Sequence, residues 1–203
     1  MKQWFKHLSV AAAALTTIGA LQAAPQVDQT GPAAFSVFLR GQQIGIESVT
    51  VTRSADGWTI SASGRSGAPL DFAFERFVAM YGPQWQARSL EVSGQMRGQA
   101  MALTTAFGDG TATSDVVQTG QQARLTHNVS VDAVALPNNF YGAYEALALR
   151  LDTLQPGASI PVYVAPQGEV QALVTKITPR RMETPSARYE LRQFDVAFQN
   201  PNG

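Results

Sequence analysis

The chain has 203 residues, with 15 basic and 15 acidic side chains, 45% hydrophobic residues and no cysteine. This length suits one globular domain that can bury a core. The balanced charge offers no basic excess for binding a nucleic acid backbone. The absence of cysteine excludes disulfides, a thiolate nucleophile, cysteine-ligated zinc and a lipid-modified N-terminal cysteine.

The N-terminus has the three-part layout of a bacterial secretory signal peptide. Two lysines precede an apolar run over 8–21, and small residues follow at Ala23 and Ala24. The run is shorter than the ~20 apolar residues that a membrane-spanning helix needs. The sequence therefore predicts a signal peptide over 1–23 that is cleaved after Ala23, and a periplasmic or secreted mature protein without a membrane span.

Residues 24–33 are predicted to form a flexible lead-in, and 34–203 a single β-rich domain. Apolar and polar residues alternate through much of this domain, as in "SLEVSGQM" (89–96). Such alternation predicts antiparallel sheet with one buried and one solvated face. The Asp-Gly pair of "SADG" (54–57) predicts a tight hairpin, because both turn positions require positive φ.

One strand-like run changes phase. Phe72 and Phe74 occupy even positions, whereas Phe77 is odd. A shift of this kind predicts a bulge or strong bend, as in a sheet that curls on itself. We therefore expect an all-β, mainly antiparallel fold: a curled β-roll or incomplete barrel of about 9–12 strands, with one amphipathic helix packed against it.

The helix is predicted over 137–154, which includes "PNNFYGAYEALALRL". Asn138 or Asn139 is expected to cap its first turn by accepting a backbone N–H. We interpret the helix as a plug for the open side of the curved sheet. The alternative is that Asn138, Asn139 and Tyr141 line a ligand pocket. At about 100° per residue the predicted apolar stripe consists of Phe140, Tyr144, Leu147, Leu151 and Leu154.

His127 is the one histidine left after the predicted cleavage. It is in phase with apolar neighbours along its strand, which favours a satisfied core histidine over a catalytic base or metal ligand. The sequence has no Gly-x-Ser-x-Gly elbow and no glycine-rich phosphate loop. We therefore predict no cofactor, no metal site and no catalytic residue. The candidate ligand-binding residues are His127, Asn138, Asn139 and Tyr141.

Strand-rich segments flank "NNFYGAYEALALRLDTLQPG", and in this the chain resembles the exported bacterial domains of unknown function called DUF3108. "GQQIGIESVTV" (41–51) fits that family's G-x-x-I/V-G hairpin, and "LQPGASIPVYV" (154–164) fits its L-x-P-G helix exit. The family's usual Asp at the helix start is replaced here by Asn138-Asn139. The resemblance implies a curled antiparallel β-structure without an assigned activity.

The stretch "LPNNFYGAYEALALRL" also looks like the N-terminal module of some exported α/β-hydrolases, which implies that a serine hydrolase domain follows. The turn-like "NPNG" at 200–203, directly after a strand, favours a chain that continues into a longer protein. The alternative is that the last strand is a sheet edge with a frayed tail.

We expect a non-catalytic exported binding or accessory module of unknown ligand rather than an enzyme. One alternative is an N-terminal accessory domain of a longer serine hydrolase whose catalytic part lies outside this chain. An enzyme that uses a carboxylate pair drawn from Asp71, Glu75, Glu91 and Asp115 is also left open.

Another alternative is a periplasmic carrier of a lipophilic molecule, because curved sheets can enclose a ligand. The expected partners are thus a lipophilic small molecule or a hydrolase domain, and not nucleic acid. The carrier requires an open space, rather than tight packing, around Phe72, Phe74, Met96, Met101 and Phe107.

Overall fold

The computed structural model of the chain describes residues 29–199. The predicted signal peptide over 1–23 and the turn-like tail at 200–203 lie outside these residues. The first strand already begins at Gln29, where it pairs with Thr52 of the next strand. The last part of the lead-in predicted over 24–33 is therefore strand, because the partner strand is long enough to pair with it.

The described residues form twelve strands in two sheets and one short helix, which lies within the sequence of the second sheet. The first sheet is an antiparallel meander in chain order: β1 Gln29–Leu39, β2 Gln42–Ser54, β3 Gly57–Ser66, β4 Phe72–Tyr81, β5 Ala87–Met96, β6 Gln99–Gly108, β7 Thr111–Gln118 and β8 Gln121–Asn128. The second sheet has the order β12-β11-β10-β9: β9 Val134–Ala135, β10 Ser159–Val164, β11 Gly168–Glu183 and β12 Arg188–Gln199. Between β9 and β10 lie a 3-10 turn, Tyr141–Ala143, and the helix α1, Tyr144–Leu151. These two elements, together with Phe140 before them, are called the helical segment.

The predicted fold class is confirmed. Residues 29–199 are mostly antiparallel β-structure, with 67% of them in strands, and they contain a curled half-barrel sheet and one short helix. The predicted hairpin at 54–57 joins β2 to β3, with Ser54 directly opposite Gly57. A short parallel pairing of β9 with β10 is the exception to the antiparallel pattern among the described strands.

The phase change in β4 is a bulge, as predicted. The register with β5 shifts between Phe74 and Arg76, and the register with β3 shifts between Ala62 and Gly64. The extra residue lets Phe72, Phe74 and Phe77 all face the core, where each is at least 96% buried. The bulge therefore keeps three aromatic side chains on one face of a bending strand.

The helix is shorter than predicted, and its buried stripe differs. α1 spans Tyr144–Leu151, and the side chain of Tyr144 is 46% exposed. Phe140 has extended backbone angles (φ −114°, ψ 99°), so it is not in helical phase with Tyr144. The expectation that both residues share one stripe is wrong for this reason. The buried positions are Phe140, Ala143, Ala146, Leu147 and Leu151.

Phe140 is the side chain that joins the helical segment to the first sheet. Its ring centroid lies 5.2 Å from Phe72, 4.9 Å from Phe74 and 5.0 Å from Phe77. Edge-on and stacked contacts at these distances add to the free energy gained by burial. On the other side of the core, Phe107 packs edge-on against Tyr163 at 5.4 Å. Met96 and Met101 are partly buried and pack against the same core.

Candidate functional site

A buried carboxylate from β2 caps the helical segment. Glu47 is 98% buried, and its two oxygens accept hydrogen bonds from the backbone N–H groups of Tyr141 (2.9 Å) and Gly142 (2.7 Å). Backbone N–H groups at the start of a helical segment have no partner within the segment. The carboxylate satisfies two of them and places a negative charge where the peptide dipoles favour it.

Glycine at position 142 allows this close approach. A Cβ built there would lie 2.6 Å from Cγ2 of Val49 and 2.9 Å from Oε1 of Glu47. Both distances are too short for a real side-chain contact, so any larger residue would push the 3-10 turn away from β2. The glycine thus lets the turn sit directly on the sheet and bring its N–H group to the carboxylate.

Burial raises the pKa of the Glu47 carboxyl above its ordinary value, because desolvation disfavours the charged form. The hydrogen bonds from Gly142 and Tyr141 lower that pKa, but by less than burial raises it. The charged form of Glu47 therefore carries a desolvation cost, which its two hydrogen bonds to the first turn of the helical segment offset in part. Tyr141 and Tyr144 project from that segment, so Glu47 determines where these two rings lie.

An open groove of about 430 Å³ lies between the helical segment and β1. Ala33 and Phe35 of β1 pair with Val49 and Glu47, so they face the same side of the sheet as those buried residues. The helical segment covers β2 but leaves this end of β1 open, and Phe35 is consequently 44% exposed. The groove is lined by Ala33, Phe35, Val49, Val51, Tyr141, Gly142, Tyr144, Glu145 and Ala148.

A larger depression of about 610 Å³ lies at the far ends of strands in the first sheet, near residues 43–46, 65–67 and 95–98. It is more open to solvent, and the residues that line it include the oppositely charged Arg65 and Asp71. The groove beside β1 differs because three aromatic side chains remain half exposed there: Phe35 on the core side of the sheet, and Tyr141 and Tyr144 on the 3-10 turn and α1. We therefore take the groove as the candidate ligand site.

His127 belongs to a separate, mostly buried polar network. Its Nδ1 lies 3.1 Å from the hydroxyl of Tyr163, which lies 3.2 Å from the hydroxyl of Ser114. Ser114 is in turn 2.8 Å from the hydroxyl of Thr105. Tyr163 and Ser114 have no exposed surface, so these contacts satisfy polar groups that water cannot reach. A histidine with a structural role needs such a hydrogen-bond partner, and Tyr163 supplies it to His127.

The strand that carries His127 is less buried than its apolar pattern indicates. Leu125 is 39% exposed, and Val131, beyond the strand, is 80% exposed. The physical reason is the position of β8 at the edge of the first sheet, where β11 contacts it along a short stretch. His127 and Val129 are partly buried in that stretch.

We predict that Tyr163→Phe lowers the free energy of unfolding by about 1–2 kcal/mol. The substitution keeps the ring against Phe107 but removes the hydroxyl that partners His127 and Ser114. Ser114 retains Thr105, which limits the loss. Urea unfolding of the variant beside Tyr189→Phe, an exposed tyrosine on β12, measures the effect. Equal midpoints for the two variants would show that the network contributes nothing to stability.

The structure separates the four predicted site residues. Tyr141 lines the groove, whereas His127 contacts Tyr163. Asn138 and Asn139 are exposed, and neither belongs to the groove lining. The expectation that one of them caps the helix is wrong, because Phe140 precedes the 3-10 turn and no side chain of the segment itself caps it. Asn139 instead adopts a left-handed conformation with φ 71°, which places it in a tight bend.

The cap was missed because Glu47 lies 94 residues before Tyr141. One signal in the sequence was available: "IGIESVTVT" places a single acidic residue in phase with Val49 and Val51, on the buried face of a strand. A carboxylate at such a position needs a specific partner.

Within residues 29–199, no three His, Asp or Glu side chains come together as ligands for a metal ion. In the same range, no helix has both the length and the apolar character to span a membrane. Comparisons with protein-family models, with curated proteins and with solved structures find no match for this chain. The fold and the groove define the class of protein: an all-β protein with an open, aromatic-lined groove. The likeness to DUF3108 domains stays a prediction.

Proposed function

We propose that the protein is an exported, non-catalytic binding module whose ligand occupies the groove between β1 and α1. The observation that carries this proposal is the exposure of three aromatic rings in one concave site. Phe35 is 44%, Tyr141 40% and Tyr144 46% exposed, and all three line the groove. Half-exposed aromatics in a concave, mostly apolar site are typical of ligand binding.

The lining also indicates the charge of the ligand. Glu145 is the one charged residue among the side chains that line the groove, and no basic residue accompanies it. A carboxylate at the rim repels anionic headgroups and phosphate, and it attracts cations. We therefore infer that the ligand is an apolar molecule that is neutral or positively charged, of a size that a groove of about 430 Å³ accepts.

The packing of the core favours the groove over an internal carrier cavity. A carrier would need space around Phe72 and Phe74, but both are buried against the ring of Phe140. The ring of Phe107 is in contact with Tyr163 in the same way. A ligand in the interior would have to displace these aromatic contacts, whereas the groove is open without any rearrangement.

The surroundings of the carboxylates support a non-catalytic role. Glu91 accepts two hydrogen bonds from Arg76, at 3.0 and 3.1 Å, and Asp115 accepts two from Arg124, each at 2.8 Å. Arg124 holds the pKa of Asp115 below its ordinary value. A general acid for glycoside hydrolysis needs the opposite, a carboxyl whose pKa is raised. Surface ion pairs account for both residues.

The proposal is tested with N-phenyl-1-naphthylamine, a neutral apolar dye that fluoresces when it leaves water. We expect saturable binding to the mature chain. Phe35→Ser and Tyr144→Ser should each weaken binding by about tenfold or more, because each removes an aromatic face that the ligand covers. Ala148→Trp should have the same effect by filling the groove while leaving those rings in place.

Phe198→Ser is the matched control, because Phe198 is 48% exposed but lies on β12 in the second sheet. It should leave the dissociation constant of the dye unchanged. Failure of the dye to bind, or an equal loss in Phe198→Ser and Phe35→Ser, would contradict the assignment of the groove. Native mass spectrometry of gently purified protein gives the mass of a natural ligand that stays bound. Phe35→Ser, Tyr144→Ser and Ala148→Trp should lose that ligand.

A further inference from the structure

The hairpin of β11 and β12 extends beyond the core as an arm with two different faces. From Arg180 to Glu183 and from Arg188 to Arg192, every residue is exposed. On one face, Arg181 pairs with Glu190 at 2.7 Å and Arg188 with Glu183 at 2.8 Å. The strand register places Met182 opposite Tyr189, and Leu191 opposite Arg180, on the other face. One face of the arm is thus charged, and the other, which we call the apolar face, exposes Met182, Tyr189 and Leu191 beside Arg180.

The apolar face is exposed to solvent. Met182 is 47%, Tyr189 46% and Leu191 43% exposed. An isolated two-stranded hairpin is only marginally stable in water, and these three side chains contribute little to stability while they remain hydrated. A partner beside β12 would bury part of Tyr189 and Leu191 and so stabilise the arm as well as the complex.

The outer edge of β12 is also open. Within the described residues, β12 is the terminal strand of its sheet and no strand lies beyond it. It has 12 residues and contains no proline, glycine or lysine. Natural edge strands are usually short, or are protected by charged side chains, above all lysine, by proline or by a bulge. On one face of β12 the charges of Arg188, Glu190 and Arg192 alternate in sign, so they repel a strand of one charge but not a second copy. The register shift of this hairpin lies between Val174 and Lys176 of β11, near the core, so it does not protect the exposed end of β12.

We propose that β12 pairs antiparallel with β12 of a second copy of this chain, about a two-fold axis at Leu191. Glu190 lies between Arg188 and Arg192 on one face of β12, so the charges make the strand complementary to an antiparallel copy of itself. Pairing about Leu191 sets Glu190 of each copy opposite Arg192 of the other, twice over. Pairing about Glu190 would set Glu190 opposite itself and Arg188 opposite Arg192, which places like charges together. Pairing about Tyr189 would also set Glu190 opposite Arg188, but it would join only residues 188–190 of β12, whereas pairing about Leu191 joins 188–194.

The proposed register also continues contacts that each copy already makes. Glu190 forms an ion pair with Arg181, and Nη1 of Arg192 lies 3.0 Å from Oδ1 of Asp152. Across the two-fold axis these side chains form one row of alternating sign: Arg181, Glu190, then Arg192 and Asp152 of the second copy. On the opposite face, Leu191 meets its own counterpart, with Tyr189 and Met182 of both copies beside it. Pairing therefore satisfies the free backbone edge of β12 and sets Leu191 against its counterpart on the apolar face.

Sedimentation equilibrium of the mature chain over a range of concentrations tests the pairing. We expect a monomer–dimer equilibrium for the wild type. Glu190→Arg and Arg192→Glu should each weaken the dimer by about tenfold or more, since each sets like charges opposite one another. The double variant restores opposite charges across the interface but sets like charges against Arg181 and Asp152 within each copy. It should therefore dimerise more tightly than either single variant and less tightly than the wild type.

Glu91→Arg is the control, because it breaks an exposed ion pair between two inner strands of the first sheet. It should leave the dimer unchanged. A wild-type chain that stays monomeric at every concentration would overturn the proposal. So would a dimer that is indifferent to Glu190→Arg and Arg192→Glu, because its interface would then lie elsewhere.

Crosslinking supplies a second measurement that does not depend on these charges. The chain has no cysteine, so a single introduced cysteine can form a disulfide only with a second copy. Leu191→Cys lies on the proposed axis, where facing Cβ atoms approach to about 5 Å, and it should oxidise to a covalent dimer. Met182→Cys lies one strand further from the axis and should not. Equal crosslinking by the two variants would overturn the register.

Discussion

Replacing Phe140 with alanine is expected to lower the free energy of unfolding by about 3–5 kcal/mol. The ring is 96% buried and contacts three phenylalanines of β4 within 5.2 Å. Its removal leaves a cavity that Phe72, Phe74 and Phe77 cannot fill, because the β4 bulge fixes their backbone. Urea unfolding monitored by circular dichroism measures the loss.

Tyr144→Ala is the matched control for this prediction. Tyr144 belongs to the same segment, and its substitution removes a similar ring, but Tyr144 is 46% exposed. We expect its cost to stay below about 1 kcal/mol. Comparable losses for Phe140→Ala and Tyr144→Ala would show that the helical segment presents a different face to the sheet.

The strands were predictable from the sequence because their signal is local. A residue on a strand shows its face through its immediate neighbours, since side chains alternate with a period of two. Leu90 and Val92 follow this rule, and both are 99% buried. Even the bulge in β4 left a local trace, because the change from Phe74 to Phe77 broke the alternation in a single run of sequence.

The helical segment was predicted less well, because its geometry is set by distant residues. The 3.6-residue period assumed one continuous helix from 137, but the chain is extended at Phe140 and forms a 3-10 turn before α1. The extension lets Phe140 reach β4, and the turn lets Gly142 reach Glu47. Both contacts are tertiary, so the local pattern of apolar residues carried the wrong phase for Tyr144.

The groove was also beyond a sequence-based prediction. Phe35 and Val37 lie on either side of Ser36 in one strand, so their side chains share a face and both are expected to be buried. Val37 is 6% exposed and Phe35 is 44% exposed. The difference arises because the helical segment ends before it covers Phe35. A site made by the incomplete cover of one element by another has no signature in either segment alone.

Glu47→Ala is expected to lower the free energy of unfolding by about 2–4 kcal/mol, because it leaves the N–H groups of Tyr141 and Gly142 without their acceptor. Glu47→Gln keeps one acceptor oxygen, so about half of that loss is expected. Glu91→Ala, at an exposed ion pair, is the control and should cost little. Because Glu47 also positions the turn that carries Tyr141, both Glu47 variants should weaken dye binding in the groove. An alanine variant as stable as the wild type would show that the carboxylate does not anchor the helical segment.

The same carboxylate gives stability a defined dependence on pH. Burial raises the pKa of Glu47 in the folded chain above its ordinary value of 4.5, so the folded state binds a proton more readily than the unfolded state. Stability from this group is therefore fully present below pH 4.5 and is lost as the pH rises through the folded-state pKa. Glu47→Gln does not titrate, so its stability relative to the wild type should improve as the pH rises from about 4 to about 7. Urea melts of the two proteins across this range measure the change. A Glu47→Gln variant that instead becomes relatively weaker as the pH rises would mean that the two N–H donors outweigh burial and lower the pKa.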